Sequence, residues 1–78
     1  MNIDIAIANV LRSIREKNKL SQEQLAFKAQ LHRTYISQIE RGLKSVTVKT
    51  LFKLTEALDV EIDFFLKKVK DELTSIQS

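Results

Sequence analysis

Apolar residues recur at helical spacing along almost the whole chain. Ile3, Ile7, Val10, Leu11 and Ile14 fall on one stripe, which predicts a first helix over 3–17. Ile3, Ile5 and Ile7 also alternate as a strand would, so the first turn is the least defined. Asn18-Lys19 ends this helix and Leu20 anchors the turn. Leu25, Ala26 and Ala29 predict a second helix over 22–29, and Ile36 and Ile39 a third over about 33–40. Val48, Leu51, Leu54, Thr55 and Leu58 carry a fourth, from Val48 to about Leu58. Ile62, Phe65, Leu66, Val69 and Leu73 carry a fifth, over about 62–73, with Phe64 off the stripe and fraying expected after Thr74.

Polar residues supply the boundaries. Ser21 is placed to cap the second helix, and Gln24 completes a capping box. Thr47 caps the fourth. Gly42 stands where the third helix needs a left-handed residue, and Leu31 plugs the turn before that helix. One glycine and no proline in the chain argue against a loop-rich or all-β fold. The fold class is therefore all-α, five short helices in a single domain over 1–78.

Composition narrows the function. A chain of 78 residues buries only about 60% of its unfolded surface and gains from a partner subunit. No cysteine is present, so disulfides and thiolate metal sites are excluded. One histidine among scattered carboxylates offers neither a metal site nor a nucleophile–base pair; no enzyme activity, metal, cofactor or small-molecule ligand is expected. No apolar run approaches the roughly 18 residues of a membrane span, and the N-terminus lacks a signal peptide's basic region. A cytoplasmic protein follows. The net charge of +3 is unevenly placed: ten basic and four acidic residues up to Lys53, three and six after it. That asymmetry suits a polyanion on one side only.

The second and third helices, joined by a three- or four-residue turn, fit a helix-turn-helix. Small Ala26 and Ala29 let the pair approach closely. The face opposite Ile36 and Ile39 then carries Arg33, Thr34, Gln38 and Arg41 toward solvent. Arginine can bond guanine bidentately, glutamine can do so for adenine, and the threonine methyl can touch that of thymine. Gln22, in the first turn of the second helix, lies where free N–H groups favour an anion. Tyr35, Arg41, Lys44 and Ser45 sit at the edges of the reading helix, placed for phosphate.

"LRSIREKNKLSQEQLAFKAQLHRTYISQIERGLKSVTVKTLFKLTEALDV" resembles the phage Cro and C1-type repressors, a λ-repressor-like fold. Within it, "HRTYISQIERG" followed by "SVTVKTLFKLTEALDVEIDFF" resembles the controller proteins of restriction–modification systems. The resemblance implies base contacts from Arg33, Thr34 and Gln38, and phosphate contacts from Gln22, Tyr35, Lys44 and Ser45. It also implies an ion pair of Arg15 with Glu40, bracing the first helix against the third. Gln30 stands where this family often has glycine, and His32 where Ser, Thr or Asp is common.

Adjacent Phe64 and Phe65 point about 100° apart on a helix, so one should leave the core. Phe64, Phe65, Leu66, Val69 and Leu73 are the candidate surface of a C2 homodimer. The resulting expectation is a regulator binding double-stranded DNA at a roughly palindromic operator, and as a controller acting on its own promoter. Activation would add RNA polymerase as a partner, with Glu23 the candidate contact. A phage or chromosomal repressor, an antitoxin and a non-DNA interaction module are the alternatives.

Overall fold

A computed structural model describes residues 3–77. Residues 1, 2 and 78 of the expected domain lie outside the described residues. The helices are α1 (Ile3–Lys17), α2 (Gln22–Ala29), α3 (Arg33–Glu40), α4 (Val48–Ala57) and α5 (Ile62–Gln77).

The first four helices end alike. One or two residues past each, the backbone turns left-handed: Lys19, Gln30 and Asp59 at φ 58°, Gly42 at φ 72°. The N–H of that residue donates to the carbonyl three residues back, at 2.9 Å for Lys19 and 3.1 Å for Asp59, for example. The next N–H donates five residues back: Leu20 to Arg15, Leu31 to Ala26, Leu43 to Gln38 and Val60 to Thr55. This double closure satisfies carbonyls that a helix end leaves open. The residue that follows is apolar each time, and Leu20, Leu31 and Val60 pack against the core. Three non-glycine residues thus occupy a conformation costing roughly 1–2 kcal/mol each, held by hydrogen bonds and an apolar anchor. That is how the chain turns sharply with a single glycine.

At the N-termini, Ser21 Oγ accepts from Gln24 N–H at 3.0 Å while Gln24 Oε1 accepts from Ser21 N–H at 2.8 Å. Thr47 Oγ1 accepts from Thr50 N–H at 3.1 Å. His32 precedes α3 without a side-chain cap bond.

All five helices contribute to one core, with Phe65 the largest fully buried side chain beside Leu11, Leu25, Ile36, Ile39, Leu54 and Leu58. Buried Thr55 is satisfied by its own helix, donating to Leu51 O at 3.0 Å. Three features depart from the periodic reading. Ile3, expected on the inward stripe, is exposed, whereas Val10 and Leu11 are buried and Ile7 and Ile14 pack against the core, joined there by Ala6, Ala8 and Arg15. Val48, expected inward, is the first residue of α4 and is 69% exposed. And α5 continues past Leu73 to Gln77, since neither glycine nor proline follows to stop it.

Candidate nucleic-acid interface

Burying Ile36 and Ile39 fixes which way α3 faces. At about 100° per residue, Thr34, Gln38 and Arg41 then form its outermost stripe, with Arg33 and Ser37 along one flank and Tyr35 along the other. Arg33, Thr34 and Arg41 are exposed, while Tyr35, Ser37 and Gln38 are half-buried. The expected base-reading trio therefore lies on one solvated surface. Ser37, one turn beyond Arg33, extends the same flank of the helix.

The end of α3 is gripped by two arginines of α1. Arg15 Nε and Nη2 donate to Glu40 Oε2 and Oε1 at 2.7 and 2.9 Å. The side chains are 11% and 2% exposed. Arg15 Nη1 also donates to Leu20 O at 2.8 Å. The bond to Glu40 holds the guanidinium above its ordinary pKa despite desolvation. Gln22 Nε2 donates to Glu40 Oε1 at 3.1 Å, so the Gln22 side chain is engaged at the same carboxylate. Arg12 Nη1 reaches the Glu40 carbonyl at 3.3 Å and Nη2 reaches Asn9 Oδ1 at 2.9 Å. Glu40, at the end of α3, is thus held by side chains from both α1 and α2. Arg12 carried no signal in the periodicity, because its partner is a backbone atom.

Beyond Gly42, exposed Lys44 and Ser45 sit in the loop at the end of α3. Tyr35 Oη lies 3.5 Å from Ser45 O, tying its ring to that loop. Ser45 Oγ meets both carboxylate oxygens of Asp4 at 3.1 Å.

A capped α2, a tight turn at Gln30 and a braced α3 with a solvated polar face are the parts of one motif, and residues 11–65 match the helix-turn-helix family. The chain belongs to that family, in its Cro/C1-type branch. It is 46% identical over 61 residues to the control protein C.BamHI of Bacillus amyloliquefaciens, covering 77% of this chain and 75% of that one. It is 44% identical over 68 residues to the control protein C.SmaI of Serratia marcescens, covering 87% and 81%. The restriction–modification controller protein C.Esp1396I, solved as a tetramer on its natural 35 base-pair operator, superposes with TM-score 0.88. There the identity is 32%, over 95% of this chain and 97% of that one. Solved variants of that protein replace an arginine, a threonine and a tyrosine at three consecutive positions. The family is one of DNA-binding regulators.

The dimer candidates divide. Phe65 and Val69 are 0% and 4% exposed inside the protomer, which removes both from any interface; Leu73 also packs against the core. Phe64 and Leu66 remain exposed but flank Phe65 on opposite sides of α5. Phe64 lines a groove with Asn9, Ser13 and Ile14 of α1, and Lys68 Nζ lies 5.5 Å above its ring. Leu66 falls on the α4 side, one turn after Ile62, which shares a cleft with Phe52. Phe52, 54% exposed, adds to this apolar surface. Its place off the stripe of the fourth helix was the available signal.

Among the described residues, no helix is long and apolar enough to cross a membrane, and no three acidic or histidine side chains cluster so as to hold a metal ion.

Proposed function

We propose that this protein is a sequence-specific transcriptional regulator, a restriction–modification controller that binds its own promoter as a C2 homodimer. The observation that carries this reading is the outward stripe of α3, held at one angle by the buried Arg15–Glu40 pair. A helix fixed this way presents Arg33, Thr34 and Gln38 to base edges, while Tyr35, Arg41, Lys44, Ser45 and the start of α2 at Gln22 face phosphates. The consecutive Arg33-Thr34-Tyr35 is the same trio of residue types substituted one by one in the solved controller relative.

Phe52, Ile62 and Leu66 form the self-association surface, whereas Phe64 lies on the other side of α5. A two-fold axis there sets two reading helices about 34 Å apart, in successive major grooves. Dimerisation and operator occupancy both follow mass action, so the protein's own concentration controls it. Activation at low occupancy then needs a contact with RNA polymerase, for which exposed Glu23 is the candidate.

Selection of bound oligonucleotides from a random pool tests the reading. Two-fold related half-sites about 10 bp apart are expected, with log affinity falling linearly against log salt. No enriched sequence, or affinity indifferent to salt, would overturn it.

A further inference from the structure

Ser45 is expected to meet a phosphate, yet its hydroxyl is already engaged. Both oxygens of Asp4 lie 3.1 Å from Ser45 Oγ, from a residue 41 positions away in sequence. The contact is built in by the packing of α1 on the loop: Cα of Ile5 lies 3.8 Å from where a Cβ on Gly42 would stand. Asp4 thereby joins the edge that carries Arg41, Lys44 and Ser45, the basic edge of the reading helix. Among the four carboxylates before Lys53, Glu40 is buried against Arg15, whereas Asp4 is on the surface the duplex would approach.

A carboxylate resembles a phosphate as a hydrogen-bond acceptor and carries the same sign of charge. We propose that Asp4 is an internal occupant of the Ser45 phosphate seat, and so a residue that limits this protein's affinity for DNA. The inference rests on the functional reading above. The duplex must either displace Asp4 from Ser45 or bind with that seat taken and a like charge beside it. Because phosphates carry no sequence information, Asp4 weakens operator and random DNA equally and leaves discrimination unchanged. Asp4 also lies in the first turn of α1, where a negative charge favours the helix dipole. A role confined to helix stability would make its removal neutral or harmful to binding.

The test compares full-length Asp4→Asn with Asp71→Asn, which makes the same charge change on exposed α5 away from α3, on selected operator and random duplex. Asp4→Asn is expected to tighten both about three- to tenfold beyond the Asp71→Asn effect, despite an equal or slightly lower melting temperature. Added to Asp4→Asn, Ser45→Ala is expected to remove much of the gain. Asp4→Glu should behave as wild type. A gain no larger than that of Asp71→Asn, a gain that survives loss of the Ser45 hydroxyl, or weaker binding would each overturn the proposal while leaving the functional reading intact. Wild-type protein that binds neither duplex would overturn both.

Discussion

Replacing Glu40 by glutamine isolates the charge at the foot of the reading helix. The wild-type carboxylate accepts twice from Arg15 and once from Gln22. An amide of the same shape keeps one oxygen and turns an NH2 toward the guanidinium. Arg15 retains its bond to the Leu20 carbonyl but becomes a largely buried cation that has lost its bonded carboxylate and keeps only the weaker attraction of Glu16. Removing one partner of a buried pair costs about 3–5 kcal/mol, and burial of both side chains here leaves little room for solvent screening. A domain of this length is stable by only about 4–12 kcal/mol. The loss should lower the melting temperature by about 12 °C or more. Urea unfolding followed by circular dichroism, repeated at several protein concentrations because self-association is linked to folding, gives the number. Replacing both partners, Arg15→Met with Glu40→Leu, should recover most of it, since a well-packed apolar pair needs no desolvation. A loss below about 1 kcal/mol for Glu40→Gln is the value of a solvent-exposed pair, and would refute the claim that this contact braces α3.

Four further substitutions separate the other roles. Lys44→Ala should weaken operator and random DNA alike and make the salt slope shallower by about one unit; loss confined to the operator in a salt titration would contradict a phosphate role. Phe52→Lys or Leu66→Lys should convert dimer to monomer in sedimentation equilibrium with the helical spectrum unchanged; a persistent dimer would place the interface elsewhere. Gly42→Ala forces a Cβ onto a backbone at φ 72°, 3.4 Å from Ile5 Cγ1, and should cost about 1–2 kcal/mol in chemical denaturation; an unchanged midpoint would show that the loop adjusts freely.

Much of this molecule was legible because its helices are amphipathic and its caps are local. Ser21 bonds Gln24 and Thr47 bonds Thr50, each three residues away, so spacing alone predicts these bonds. The turns were harder. Lys19, Gln30 and Asp59 occupy left-handed positions that glycine usually announces, and the usable signal was the apolar residue after each. Adjacent Phe64 and Phe65 could be separated in principle but not assigned: periodicity says that one leaves the core, and only packing against α1 and α4 shows that Phe65 stays. Phe52 and Ile62 share a cleft across two helices. The Arg12 contact to the Glu40 carbonyl and the Asp4–Ser45 contact span 28 and 41 residues, distances over which a hydrophobic pattern carries no information.

The central claim is that the solvated face of α3 distinguishes one base pair from another. Binding of Arg33→Ala to the selected operator and to random duplex, measured side by side at one salt concentration, tests it most directly. The account predicts a loss of about 1–3 kcal/mol on the operator, relaxed preference at a single base pair per half-site, and a much smaller change on random DNA. Equal losses on both would mean that Arg33 holds only the backbone, and that bases are read from somewhere else.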